Sequence, residues 1–261
     1  MNDPGAAGQS RIRVGVVEGV ARVTLAHPPL NIIDLPMMDE LAAALREIEA
    51  RDDVSAIVLS GSGRGFSAGV DIPAHKPETI HAMLSKFHAV IKAVARSRKV
   101  TMAVVRGACL GGGAELAMVC DLVYTARDAT WGFPEIKLAC YPPVASVALP
   151  ALVGQKRAAE LVLTGRSISG AEAMAIGLAT GAADSEHLGE MVFEALERVR
   201  QLSPAALAVA KKAFYGWDSE HFSRALDESE RVYLDELMKT DDAREGIAAW
   251  MEKRRPRWTG K

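Results

Sequence analysis

Val100-Thr-Met-Ala-Val-Val105, running directly into Arg106-Gly-Ala-Cys-Leu-Gly-Gly-Gly-Ala-Glu115, decides how this chain is read. The first six residues have the apolar, β-branched composition of a buried strand. Three consecutive glycines follow, and a helix is predicted from Ala114 to about Val119. Another strand is predicted over Leu122 to Thr125. The same succession recurs upstream. Val54 to Leu59 reads as a strand and Gly61-Ser-Gly-Arg-Gly65 as a glycine-rich turn. A helix over Glu78 to Arg96 carries Ile80, Leu84, Phe87, Ile91 and Val94 on one stripe. Earlier still, Asp39 to Ala50 is helical, with Leu41, Leu45 and Ile48 aligned. Ile12 to Leu25 reads as two strands turning at Glu18-Gly19, and Pro28-Pro29 closes that unit. Strands alternating with helices predict an α/β fold.

Beyond about residue 200 the pattern changes. Pro204 to Gly216, Ser219 to Lys239 and Ala243 to Arg254 all read as helices with no strand between them. The expected organisation is a flexible tail over 1–10, an α/β core over 11–200 bearing the site, and a helical segment over 201–261. Its 261 residues, 49% hydrophobic, suffice for a core that needs no staples. A net charge of −2, with dispersed Lys and Arg, disfavours a nucleic-acid partner. Cys109, Cys120 and Cys140 are odd in number and lack Cys-x-x-Cys spacing, so they read as reduced, buried thiols. No metal site is expected. Met1 to Gln9 lacks the apolar stretch of a signal peptide, and no apolar run reaches membrane-spanning length. No membrane partner is expected, and the expected location is the cytoplasm.

Chemistry concentrates in three places, each after an apolar strand: Phe66-Ser-Ala-Gly-Val-Asp71, Leu110-Gly-Gly-Gly-Ala-Glu115 and Phe133-Pro-Glu-Ile136. Taken singly, each has a structural explanation. Glycines serve tight turns, Asp71 can cap the turn before Pro73, and a lone Glu135 commonly sits on the surface. His81 and His88, seven positions apart on one helix, could share a face, but no third group joins them. A dinucleotide loop is in the wrong register, because Leu116 stands where the third glycine belongs. A phosphate-binding loop lacks its Lys-Ser/Thr, and Ser67 is outside a Gly-x-Ser-x-Gly elbow. What the glycines do supply is bare backbone N–H groups at a helix start, suited to a developing oxyanion, with Glu115 in the first turn for proton transfer beside a carbonyl.

Together these three motifs, with Cys120-Asp121, resemble the crotonase (enoyl-CoA hydratase/isomerase) superfamily. The match continues through Gly154-Gln155, Ala158-Ala-Glu160, Leu163-Thr-Gly165, Ala171-Glu-Ala173 and Gly177-Leu178. The resemblance implies a spiral of ββα units with a helical C-terminal region that supports homotrimers, usually paired into hexamers. It implies an acyl-CoA thioester as substrate, with coenzyme A part of that substrate and no separate cofactor. Two backbone N–H groups would hold the thioester oxygen, here at Val70 and Gly112. The backbone around Ala68 would meet the adenine end of CoA, with Gly69, Asp71 and Ile72 in the same binding stretch. Family hydratases use two glutamates, which map to Glu115 and Glu135.

Two departures stand out. Pro143 falls where the family has a glycine, removing an N–H, so a reshaped pocket is expected. Pro73 stands where a CoA-binding lysine is often seen, leaving Lys76 or Lys253 as substitutes. Lys137-Leu-Ala-Cys-Tyr-Pro-Pro-Val-Ala145, with the Phe66 motif, is similar to cyclohexa-1,5-diene-1-carbonyl-CoA hydratases. The expected activity is therefore hydration of an α,β-unsaturated, alicyclic dienoyl-CoA. A straight-chain enoyl-CoA hydratase is the nearest rival. Further alternatives are a crotonase-fold isomerase, hydrolase or decarboxylase, or a noncatalytic acyl-CoA-binding member.

Overall fold

The structure, a computed structural model, describes residues 10–76, 78–215 and 218–261. The tail expected over 1–10 lies, up to Gln9, outside the described residues. The strands are β1 (Ile12–Val17), β2 (Val20–Leu25), β3 (Ala56–Gly61), β4 (Val100–Val105), β5 (Ala108–Leu110), β6 (Leu122–Ala126), β7 (Thr130–Gly132), β8 (Ser167–Ser169) and β9 (Gly181–Ala183). The first sheet has the order β1-β2-β3-β4-β6-β9. Only the β1–β2 hairpin is antiparallel, and the remaining pairs are parallel. Every residue of β4 is buried, as expected of a strand covered on both faces. A second sheet has the order β5-β7-β8.

The helices are α1 (Leu35–Glu49), α2 (Ile80–Ala95), α3 (Gly112–Met118), α4 (Pro143–Val153), α5 (Gln155–Thr164), α6 (Gly170–Ala175), α7 (Leu188–Arg200), α8 (Pro204–Tyr215), α9 (Asp218–Asp235) and α10 (Asp241–Met251). A long strand in the first sheet, a short strand in the second and then a helix make one ββα turn. β4-β5-α3 is the clearest case. The α/β class and the spiral core are therefore as expected, and among the described residues no strand follows β9.

Several helix starts differ from the sequence reading: α2 begins at Ile80, not Glu78, and α10 at Asp241, not Ala243, and two other shifts bear on the site. α1 begins at Leu35, not Asp39, because Asp34 accepts the Met37 N–H at 3.0 Å and Pro36 fits the first turn. α3 begins at Gly112, not Ala114, so two of the three glycines lie inside the helix. The helical segment is tied to the core by Lys211 of α8, whose Nζ lies 2.6 Å from Asp121 and donates to the Lys99 carbonyl at 2.7 Å. α9 packs on α4 and α2, while α10 packs on the short 3₁₀ turns Ile72–His75 and Pro134–Leu138. Among the described residues no helix is long and apolar enough to cross a membrane.

Candidate active site

The segment Phe66–Asp71 is held from both sides by backbone hydrogen bonds. Phe66 and Ser67 donate to the carbonyls of Arg106 and Ala108, and Leu110 donates back to Ser67. On the other side Ile33 donates to Gly69, Asp71 to Ile33 and Ala68 to Leu30. Buried Ser67 works structurally: its Oγ donates to the Asn31 carbonyl at 2.7 Å and accepts the Gly69 N–H at 3.1 Å. Asn31, which the sequence reading missed, is fully buried. Its Nδ2 donates to the carbonyls of Ser62, Gly65 and Phe66.

Against this segment presses the start of α3. A Cβ on Gly112 would lie 2.5 Å from Val70 Cγ2, and one on Gly113 would lie 2.7 Å from Ser67 Cβ. Val70 and Gly112 are therefore neighbours, though 42 positions separate 70 from 112. As the first residue of its helix, Gly112 has no intrahelical acceptor for its N–H. Gly111 turns the chain between β5 and α3 with φ of +51°, donating to the Gly132 carbonyl at 2.9 Å. A Cβ at Gly111 would sit 2.7 Å from Glu135 Oε1, so this position admits no side chain without moving that carboxyl.

The two glutamates flank this turn. Glu115, 3% exposed, accepts the N–H groups of Val144 and Ala145 on Oε1, both at 2.9 Å. These are opening amides of α4, so Glu115 caps a helix remote from it in sequence. Pro143 is thereby explained. It occupies the first turn of α4, where its missing N–H costs little, and the two amides after it orient Glu115. The N–H missing at Pro143 stays missing, and the amides of the two residues after it are taken up by Glu115. Glu135, on the 3₁₀ turn Pro134–Leu138, is no surface residue. Its Oε2 is buried with no hydrogen-bond partner among the described residues.

Burial raises both carboxyls above the ordinary carboxylate range, and for Glu135 the charge of Glu115 adds to that effect. For Glu115, the amides of α4 and nearby His88 pull the other way. The pair therefore retains protons at pH values where isolated carboxyls have lost them. That gives one site both a proton acceptor and a proton donor.

The remaining predicted residues lie in varied surroundings. Ala68 is half-buried, and Gly69 is buried against the Leu110 carbonyl. Asp71 precedes the Ile72–His75 turn but makes no capping bond, so the capping explanation fails. Burial, and then the charge of Asp34, raise its carboxyl. Lys76 and Lys253 are exposed, and α10, which precedes Lys253, packs on the turn containing Ile72. The two histidines do not share an environment, for His81 is exposed and His88 buried. The three cysteines are free and buried.

The enoyl-CoA hydratase/isomerase family profile matches residues 15–261, nearly the whole chain. The chain belongs to the enoyl-CoA hydratase/isomerase family. It is 37% identical over 238 residues to the cyclohexa-1,5-dienecarbonyl-CoA hydratase of Thauera aromatica, covering 91% of this chain and 92% of that one. It is 35% identical to a probable enoyl-CoA hydratase of Mycobacterium bovis, covering 95% of each. The crystal structure of an enoyl-CoA hydratase from Mycobacterium avium subsp. paratuberculosis superposes with a TM-score of 0.86 at 27% identity, covering 95% of this chain and 98% of that one. The fold is thus the crotonase fold, and the chain is a hydro-lyase of the enoyl-CoA hydratase type. In family terms, the geometry above brings the three motifs into contact.

Proposed function

We propose that this enzyme adds water to an α,β-unsaturated, alicyclic dienoyl-CoA thioester, with Glu115 and Glu135 as its acid–base pair. The observation that carries this is two buried carboxyls on either side of the Gly111–Gly112 turn. In this reading the N–H groups of Val70 and Gly112 form the oxyanion hole. Holding the thioester oxygen makes the β-carbon electrophilic and stabilises the enolate that follows. Water loses one proton to a carboxylate as its oxygen bonds to the β-carbon, and one proton passes from the pair to the α-carbon. Coenzyme A is part of the substrate, and the chemistry calls for no further cofactor. The backbone of Ala68 and Gly69, with Asp71 and Ile72, receives the CoA end.

The cyclic acyl group is supported by the Thauera relative and by the Lys137–Ala145 run, whose Val144 and Ala145 amides meet Glu115. We further propose a cytoplasmic homotrimer or a hexamer of paired trimers, assembled through residues 201–261. α8 has no buried residue, and its Val209 and Phe214 are 68% and 77% exposed.

The test is turnover of a cyclic dienoyl-CoA beside a straight-chain enoyl-CoA in ¹⁸O-labelled water. The expected outcome is labelled hydroxyacyl-CoA, formed faster from the cyclic substrate. Preference for the straight chain would replace the acyl assignment. A shifted double bond, or free CoA, would overturn hydration in favour of isomerase or hydrolase chemistry in the same pocket.

A further inference from the structure

Glycine inside a helix costs about 1 kcal/mol relative to alanine, yet α10 carries one at its midpoint, Gly246. The residue lies on the buried face of that helix, with Ala243, Ile247 and Ala249. A Cβ on Gly246 would sit 2.1 Å from the carbonyl oxygen of Leu138 and 2.5 Å from its carbon. Both are backbone atoms, which no change of rotamer moves aside. The hydrogen that takes the place of this Cβ points at the Leu138 oxygen, the arrangement of a Cα–H···O contact.

Leu138 is the last residue of the 3₁₀ turn that bears Glu135, three positions on. Residues at that spacing in such a turn lie one above the other, so contact at Leu138 bears on the backbone under Glu135. The turn has other neighbours. Cys140 donates its N–H to the Glu135 carbonyl at 3.1 Å. At the end of α5, a Cβ on Gly165 would meet Ile136 Cγ2 at 3.0 Å and Lys137 Cε at 3.2 Å. Those are side-chain atoms that can yield, whereas the Leu138 carbonyl cannot.

On its outer side α10 is tied down by the end of the chain. The Asp242 carboxylate accepts the N–H groups of Thr259 and Gly260 at 2.6 and 2.9 Å, and Glu245 accepts that of Arg257 at 2.7 Å. Glu245 also pairs with Arg254. The helix is thus held between this C-terminal strap and the Glu135 turn.

We propose that Gly246 is a positioning residue for Glu135: its missing side chain seats α10 on the Leu138 carbonyl, and that contact sets the turn so that the Glu135 carboxyl lies buried against Gly111. The inference rests on the reading of Glu135 as an acid–base group. Gly246 is not a catalytic residue, because it acts through the turn.

The test sets Gly246→Ala beside Arg244→Gly in the full-length enzyme. Arg244 is exposed on the same helix, so Arg244→Gly removes about 1 kcal/mol of helix stability without placing an atom against the turn. Two quantities are followed. One is kcat, and the other is the infrared carboxylic-acid stretch that Glu135→Gln abolishes, whose frequency follows the contacts of that carboxyl. Spectra are taken at mildly acidic pH, where Glu135 holds its proton. Gly246→Ala is expected to shift the stretch and to lower kcat by about 10–10²-fold, the cost of displacing a reacting group by about 1 Å. Arg244→Gly is expected to leave both near wild type while lowering the denaturation midpoint. A folded Gly246→Ala enzyme with an unmoved stretch, or with wild-type kcat, overturns the proposal. So does an Arg244→Gly enzyme whose stretch shifts as far. Should Gly246→Ala fail to fold, the double variant Asp242→Ala, Glu245→Ala frees α10 from its surface ties and decides by the same criterion. A wild type that hydrates nothing, but whose stretch still shifts in Gly246→Ala, would refute the hydratase reading and leave the role of Gly246 standing.

Discussion

Glu115 and Glu135 flank one glycine turn, yet the protein treats them in opposite ways. Glu115 rests on two amides at the start of α4, and a histidine lies nearby. Glu135 has a bare, buried Oε2, and its other oxygen crowds the Cα of Gly111. Hydrogen bonds to a carboxylate favour its charged form, whereas bare burial favours the protonated acid. The contrast is one of surroundings. Glu115 is the better-supported carboxylate, and Glu135 is the group more strongly inclined to hold a proton.

The most severe way to probe this comparison is to neutralise each carboxyl. Glu115→Gln and Glu135→Gln should each lower kcat by about 10²–10⁴-fold, the usual worth of positioned proton transfer. Thioester binding by calorimetry and the far-ultraviolet circular dichroism should stay close to wild type. Near-normal kcat in either variant breaks the pairing. Gly111→Ala is next. It places a methyl against Glu135 and forces a non-glycine residue to a φ near +51°, for about 1–2 kcal/mol of strain. Both kcat and the denaturation midpoint should fall, and kcat should recover in part when Glu135 is shortened to Asp.

Stability separates the two carboxyls further. Glu115→Ala strands the Val144 and Ala145 amides and should cost about 1–3 kcal/mol in urea unfolding. Glu135→Gln should do the reverse. A carboxyl raised by folding binds its proton more tightly in the native state. Its contribution is therefore fully present below the unfolded carboxylate pKa and lost as pH climbs through the raised value. The variant should match wild type near pH 4 and exceed it by about 1 kcal/mol at alkaline pH. Equal stability across that range would show Glu135 to be better solvated than its surroundings indicate.

Much of this was legible in the sequence, for identifiable reasons. β2, β3, β4 and β6 are apolar runs bounded by turns, and their limits fall within two residues of expectation. The short strands β5, β7 and β8 have three residues each, too few for any period. α4 escaped notice because Pro143-Val-Ala-Ser-Val-Ala-Leu-Pro150 is apolar nearly all round and begins and ends that run on proline. The glutamates were found through motif context, since 20 positions from 115 to 135 carry no geometric signal by themselves. Asn31 and Ser229 were missed. Each acts on residues distant in the chain, and no local pattern marks a polar residue for such a task.

α9 carries a consequence for how this enzyme comes into being. The glycine turn and both glutamates are synthesised by the middle of translation, but α4, whose first amides hold Glu115, meets its α9 partner only with Ser229. A nascent protein paused before that helix would hold all three motifs and still lack the contact between α9 and the start of α4. The surroundings of both glutamates are thus completed late, by α9 against α4 and by α10 against the turn that bears Glu135.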